Sequence, residues 1–516
     1  MKKYNVFKIF MIITMFLTSI ATVISPFLIN IWIKNNENID KSKIFLILIL
    51  IIFSIAINIL ITWIREIFAK EFNKNNFKMY LKKFYKLEYD YILESGPMSL
   101  LERMIMGVNS LYTYLVSDVV MIYSRVISIG IILLIVFFQD KIIFLLFLSL
   151  IPIYYLSFKL LNKSLLHKSK QLQEISSKMW GDILSVLEKT DYIKQLSDKR
   201  YIDKIIDQKI EKVYKKQSNL NAFAQSITVF ITGISTLFQT MIIIYSVLIS
   251  LESGKFFNTI LISIILPLFI NSLSQITNSN VSKRDFKVSN DYFNSWKNFY
   301  EKSGKKDLAH INNISFDIST ISISNKTFDI DLKDDFSKGD IVWVNGKSGS
   351  GKSSLLKLIV RFRDENSIYI NKTDIREYDI DQLRDKIEYI SQNIAIVNAS
   401  LRENLFLDQK YSTEKEEKMK KDVLLNSILK NKTFDSIITA NASNLSSGEK
   451  QKIALVRALY KNTDILILDE ITSGIDIETS KLIYDRIKEI SRDKIIFIVS
   501  HQALDENLYN KKIEIE

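Results

Sequence analysis

Gly346, Lys347, Ser348, Gly349, Ser350, Gly351, Lys352 and Ser353 are the stretch of this 516-residue chain with the clearest chemistry. Glycines let a backbone turn so that successive N–H groups point inward as an anion nest. An apolar, strand-like run (Ile341, Val342, Trp343, Val344, Asn345) leads in, and a helix-like run from Ser354 leads out. The start of that helix adds its positive dipole end to the nest. Lys352 has the reach to grip β- and γ-phosphates, and the Ser353 hydroxyl suits Mg²⁺. Only 13 residues of the whole chain are glycine, so three within six positions are not background composition. The expected ligand is a nucleoside triphosphate, cradled by residues 345–354.

Three more apolar runs end in polar chemistry. Ile465, Leu466, Ile467 and Leu468 run into Asp469 and Glu470. Such a run suits a strand buried on both faces of a parallel sheet, and such sheets carry ligand groups at the carboxyl ends of their strands. Asp469 is therefore expected in a Mg²⁺ shell, with Glu470 polarising an attacking water. An isolated Asp-Glu pair is usually a solvated loop; the phosphate loop in the same domain changes that reading. Ile495–Val499 is followed by Ser500 and His501. An isolated histidine is more often structural, but this one, of three in the chain, ends a strand at the same sheet edge and can meet a γ-phosphate. Ile387–Ile390 ends at Ser391 and Gln392, and Gln392 can ligate Mg²⁺ or hold the water. Leu445, Ser446, Ser447, Gly448 and Glu449 precede an amphipathic helix expected over 450–460. A helix start carrying Ser and Gly is a second anion site. One ATP does not need two cradles from one chain, so the duplication suggests nucleotide shared between two copies.

The elements that position these groups differ sharply between the two parts of the chain. Apolar residues make up 47 % of it and crowd into the first 280 or so positions. A membrane span needs about 20 mostly apolar residues. Six stretches qualify: 6–32, 44–64, 119–138, 142–161, 222–249 and 257–276. The first outruns the apolar region of a signal peptide and is expected to span. The long intervening segments 65–118 and 162–221 are rich in Lys and Arg, the mark of a cytoplasmic side, and both termini are expected there. Phe77, Leu81 and Phe84, or Ile183, Leu184 and Leu187, recur at helical spacing, so these segments are expected to extend the spanning helices. Breaks are expected near Ser95-Gly96-Pro97 and Asp191-Tyr192. The span cores carry neutral polar groups (Asn30, Asn58, Gln225, Gln239, Asn271, Gln275), which suit interhelical hydrogen bonds or the lining of an uncharged cavity. Asp118 and Arg125 stand seven apart, on one helix face. The formal charge of +12 follows the lysines between spans, which points to membrane topology and away from nucleic acid. No cysteine is present, which excludes disulfides and thiol catalysis. The expected domains are a transmembrane domain over 1–300, a linker over 301–310 and an ATP-binding domain over 311–516.

In this order the motifs resemble those of an ABC exporter half-transporter: an α-helical membrane domain of six transmembrane helices with long cytoplasmic extensions, fused to an α/β P-loop NTPase domain. Residues 346–353 match Walker A, Gln392 the Q-loop, and Leu445, Ser446, Ser447, Gly448 and Glu449 the signature. Ile465–Asp469 is similar to Walker B, with Glu470 in the catalytic position. Ser473 and Asp476 look like the D-loop, and His501 like the switch histidine. Three features depart from the pattern. The signature reads Leu-Ser-Ser-Gly-Glu where the family usually has Leu-Ser-Gly-Gly-Gln. The adenine-stacking aromatic, usually Tyr, is here Phe328. The segment 438–443 lacks the acidic residue that exporters often place before the signature. The resemblance implies ATP and Mg²⁺ as cofactors, with Ser353, Gln392 and Asp469 around the metal. It implies a dimer in the cell membrane, each ATP lying between one chain's P-loop and the other's signature; a homodimer is expected, and a heterodimer stays open. It implies ATP-hydrolysis-driven export, with a peptide or bacteriocin-like natural product as the expected cargo. A multidrug or lipid exporter, and a non-transporting regulatory or immunity ATPase, stay open as alternatives.

Overall fold

The computed structural model describes the chain apart from residues 1, 36–39, 254–255, 324–325, 348, 365–366, 408, 440–443, 472–476, 501–503 and 516. Some further side chains, including those of Asn30 and Phe328, lie outside the described set. Residues 1–87 and 91–300 form one compact unit; 88–90 and 301–516 form a second.

The described residues of 1–300 are mainly helical, with the first two residues of α3 belonging to the second unit: α1 (Lys2–Lys34), α2 (Lys41–Phe84), α3 (Tyr89–Ser95), α4 (Pro97–Leu111), α5 (Val119–Gln139), α6 (Lys141–Leu187), α7 (Thr190–Gln195), α8 (Arg200–Ser253) and α9 (Phe256–Ser295). Each of the six apolar stretches lies inside one long helix, and α2, α6 and α8 continue well past or before their apolar parts. By length and composition, four helical stretches among the described residues can cross a membrane: Lys41–Phe84, Pro97–Gln139, Arg200–Glu252 and Thr259–Phe299. The apolar stretches Tyr4–Thr18 and Lys141–Leu156 are shorter. The breaks are short helices, α3 and α7, and Pro97 opens α4, where a missing N–H costs nothing. Asp140 starts α6 by accepting the N–H groups of Ile142 and Ile143 at 2.7 and 3.1 Å.

Ile132 of α5, Phe147 and Leu150 of α6, and Ile265 and Phe269 of α9 are fully buried in one cluster, with the Phe147 and Phe269 rings 4.9 Å apart. On α2, by contrast, Ile52, Phe53 and Trp63 are 64, 60 and 69 % exposed. So long an apolar surface suits lipid, not water. A π-helical segment, Tyr112–Asp118, joins α4 to α5. Asp118 accepts from the Ser282 hydroxyl and Arg125 donates to Gln275 at 2.7 Å, so both meet α9.

The second unit begins with β1 (Asn313–Ile323), β2 (Lys326–Ser337), β3 (Ile341–Gly346), α10 (Lys352–Ile359), β4 (Ile368–Ile370), β5 (Thr373–Asp374), α11 (Ile380–Asp385) and β6 (Ile387–Ile390). Three short helices follow, α12 (Leu401–Leu405), α13 (Thr413–Lys420) and α14 (Asn426–Leu429). The unit closes with α15 (Ser447–Leu459), β7 (Ile465–Asp469), α16 (Ile477–Ile490), β8 (Ile495–Val499) and β9 (Lys511–Ile515). An antiparallel sheet runs β2-β1-β4-β5, and a parallel one runs β6-β7-β8-β3-β9. Every residue of β7 and β8 is buried, as uninterrupted apolar runs in a covered parallel sheet should be. The sheets meet through Phe316 of β1, Phe336 of β2 and Phe497 of β8, packed edge to face at 5.5 to 6.1 Å. The helix expected over 450–460 starts earlier, at Ser447, because Ser446 caps it.

Phe497→Ala removes the shared member of that trio. It should destabilise the second unit by about 3–5 kcal/mol, the usual cost of emptying a buried aromatic site, read as a lower melting temperature by scanning fluorimetry in detergent.

Candidate functional site

Strands β7, β8 and β3 lie side by side, with Leu466 and Val342 flanking Ile496 and Phe497 in register. Their C-terminal ends therefore share one edge, where ligands of parallel sheets bind. Gly346 ends β3 there, and a Cβ at this position would stand 2.3 Å from the Ile515 carbonyl oxygen of β9. Gly351 turns the chain into α10 at φ +101°, a conformation that favours glycine. Asn345 pairs with Glu514 in the sheet, and Ser354 is half-buried in the first turn of α10.

Lys352 is only 5 % exposed, and its Nζ donates to the carbonyl oxygens of Gly346 and Lys347 at 2.8 Å each. Among the described residues it has no ion pair. A buried cation satisfied only by neutral carbonyls is costly until an anion arrives. The Ser350 hydroxyl, two residues before Lys352, is buried without a hydrogen-bond partner among the described residues. Both observations fit a phosphate chain in the loop.

Ser353 Oγ donates to Asp469 Oδ1 at 3.2 Å, so the α10 hydroxyl and the β7 carboxylate meet. Among the described residues, no group of three or more His, Asp or Glu could hold a metal unaided. One hydroxyl and one carboxylate suit Mg²⁺, which is usually held by one or two carboxylates together with phosphates and waters. Glu470 follows at φ +58°, uncommon for a side chain with a Cβ, with its N–H held by the Val499 carbonyl at 3.1 Å. Its Oε2 accepts from Gln392 Nε2 at 3.0 Å. Gln392 is thus bonded to the carboxylate expected to polarise water, while Ser353 and Tyr389 occupy Asp469.

The signature residues stand at the start of α15. Leu445 is buried, Ser446 and Ser447 are exposed, and a Cβ on Gly448 would meet nothing within 4 Å. Glu449 closes a capping box: its N–H donates to Ser446 Oγ at 3.2 Å and its Oε2 accepts the Ser446 N–H at 2.7 Å. The unusual Glu in this motif thus has a local task, and it occupies one backbone donor of the expected anion site. Phe328 pairs through its backbone with Ile321, its side chain lying outside the described set. Ser348, Ser473, Asp476 and His501 also lie outside the described residues.

Sequence reasoning overlooked Tyr389, whose phenol donates to Asp469 Oδ2 at 2.9 Å. The available signal was a tyrosine in an otherwise buried strand, since a buried phenol usually finds a partner. It also overlooked a cavity of about 460 Å³ in the first unit, lined in part by Asn109, Thr113, Asp118, Asn278 and Asp285. That cavity carries two carboxylates, Asp118 and Asp285, and its lining residues lie outside the six apolar stretches.

Lys352→Ala should weaken nucleotide binding about 10–100-fold, the worth of a charge-assisted contact. Equilibrium binding of a fluorescent ATP analogue to the full chain reads this directly.

Two family profiles match the sequence: the one described as ABC transporter transmembrane region over residues 8–278, and the one described as ABC transporter over 330–473. The solved structure of a bacterial Atm1-family ABC exporter with ATP bound superposes with a TM-score of 0.84 at 15 % identity, over 97 % of this chain and 91 % of that one. A Lactococcin transport/processing ATP-binding protein LcnC-like of Lactococcus lactis subsp. lactis (strain IL1403) is 26 % identical over 389 residues, 73 % of this chain and 54 % of the relative. The Transport/processing ATP-binding protein ComA of Streptococcus pneumoniae serotype 4 is 26 % identical over 419 residues, 76 % of this chain and 56 % of the relative. An ATP-dependent lipid A-core flippase of Photobacterium profundum is 30 % identical over 217 residues, 39 % of this chain and 36 % of the relative. The chain thus spans between 36 and 56 % of the length of these relatives.

Proposed function

This chain belongs to the ABC transporters, and from that premise we propose that it is an ATP-hydrolysing exporter half-transporter that works as a dimer in the cell membrane, with both termini in the cytoplasm. The observation that carries the reading is the gathering of Lys352, Ser353, Asp469 and Glu470 at one end of a parallel sheet, in a chain whose other unit has membrane-type helices.

Binding begins with an exchange of partners. The Lys352 ammonium leaves the carbonyls of Gly346 and Lys347 for the β- and γ-phosphates, and the N–H groups of residues 346–353 take the remaining oxygens. Ser353 and Asp469 would hold Mg²⁺, which would supply charge neutralisation for the phosphates. Glu470 accepts a hydrogen bond from the attacking water and polarises it, once the Gln392 amide shares or releases Glu470 Oε2. The exposed start of α15 is proposed to meet the γ-phosphate held by a second copy, through Ser446, Ser447 and the Gly448 N–H. Ser473, Asp476 and His501 keep the roles implied by the motifs.

For the cargo we infer a peptide. The alignments with the LcnC-like and ComA proteins, named for transport and processing, run over 389 and 419 residues. That is more than residues 301–516 can supply, so they include the membrane unit. The cavity beside Asp118 and Asp285 offers carboxylate and amide acceptors for peptide N–H and ammonium groups. A lipid cargo is the second reading, favoured by the higher identity, 30 %, to the flippase.

Glu470→Gln should keep ATP binding and lower turnover about 10²–10⁴-fold, the range for loss of a general base. Phosphate release from reconstituted vesicles measures this, and undiminished turnover would reject Glu470 as the catalytic carboxylate. In the same vesicles, hydrolysis by the unaltered chain should rise with added peptides; a rise with lipid alone would replace the peptide reading.

A further inference from the structure

A buried carboxylate is normally balanced by a cation. Asp469 is 4 % exposed, and among the described residues no Lys, Arg or His forms an ion pair with it. Its two oxygens are taken by hydroxyls instead, Ser353 Oγ at 3.2 Å and the Tyr389 phenol at 2.9 Å. Hydroxyl donors fix where a carboxylate points without neutralising it. That leaves the charge available to a metal ion.

The reach of Tyr389 follows from strand register. Tyr389 of β6 pairs with Ile467 of the parallel neighbour β7, and Asp469 is the next residue on that same face. Only a long side chain spans the diagonal between neighbouring strands, and of the long aromatic residues tyrosine ends in a hydroxyl. A phenol is protonated at neutral pH, so the Tyr389 hydroxyl is the donor in this bond.

The ring is itself held. Phe362 packs edge-on against it at 6.1 Å and 87°, and Tyr89 stacks on Phe362 at 4.9 Å and 12°. The Arg384 guanidinium lies 5.5 Å over Phe362, and Arg363 forks onto the Asp90 carboxylate at 2.6 and 2.8 Å. Residues 88–90 pack within the second unit, so the whole series from Tyr89 to Asp469 lies inside one compact body.

We propose that Tyr389 is a positioning residue for Asp469, aiming the carboxylate that serves Mg²⁺, and that Tyr89 acts on the same carboxylate through Phe362 and Tyr389. The inference rests on the ATP reading above. Substituting hydrogen-bond partners of metal ligands typically changes metal affinity about 10–100-fold.

The test uses the full chain in nanodiscs and a fluorescent ATP analogue, titrated with Mg²⁺ and, separately, in excess chelator. Tyr389→Phe keeps the ring and loses the hydroxyl. It should raise the Mg²⁺ concentration for half-maximal binding about tenfold or more, with affinity in chelator unchanged. Tyr89→Ala should shift the same midpoint by less, and the double variant should match Tyr389→Phe alone, as expected when two residues act through one interaction. An unshifted midpoint in Tyr389→Phe overturns the proposal, as does an equal loss with and without Mg²⁺, which would mark a merely structural tyrosine. Additive shifts in the double variant, or none from Tyr89→Ala, overturn the part assigned to Tyr89. No binding by the unaltered chain in either condition overturns the ATP reading itself, an outcome distinct from the others.

Discussion

A lysine ammonium buried under a backbone loop is the constraint around which the second unit is arranged. Lys352 cannot reach solvent, and its present partners are carbonyl dipoles, so the site favours an anion before any ligand is considered. Across the same edge Asp469 and Glu470 hold the opposite sign: among the described residues hydroxyls, and no cation, hold Asp469, and Glu470 accepts from the Gln392 amide. The two halves of the site thus lack complementary things, negative oxygens on one side and a positive ion on the other. A magnesium-bound polyphosphate is the kind of ligand that supplies both. The parallel sheet makes this possible, because parallel strands deliver their carboxyl ends to one edge.

The first unit answers to a different solvent. In lipid, backbone polar groups must be satisfied inside the segment, which leaves long helices as the economical form for an apolar chain. Its polar side chains mostly follow the same rule. Asn58 donates to the Ser54 carbonyl at 2.9 Å, and Ser235 to that of Ile231 at 2.8 Å, each within its own helix. Others bond between helices: Ser124 donates to the Met15 carbonyl at 3.4 Å, and Arg125 to the neutral Gln275 at 2.7 Å. The acidic cavity lies outside those stretches, where a carboxylate is cheaper to keep.

Glu449 and Glu470 show how the same residue type can be set to different work by backbone geometry. Glu449 sits at the third position of a helix and spends its carboxylate on the cap. Glu470 sits in a left-handed conformation just past a buried strand, which turns its side chain to Gln392 at the sheet edge. Neither task is visible in the identity of the residue.

The sequence alone determined the order of apolar runs, the glycine loop, and the polar groups that end each run. These are local properties: hydrophobic period, turn chemistry and helix starts act over a few residues and need no distant partner. It therefore placed the strands at Ile387–Ile390, Ile465–Asp469 and Ile495–Val499 and put each apolar stretch on a helix. It did not place the start of α15, because that depends on a reciprocal pair of hydrogen bonds between Ser446 and Glu449. Only the tertiary structure decided which groups meet. The strand order β6-β7-β8-β3-β9 brings residues from four separated segments to one edge. The register of β6 on β7 sets Tyr389 against Asp469, 80 positions away. Such pairings are selected by burial and packing of the whole unit, so no window of the sequence contains them.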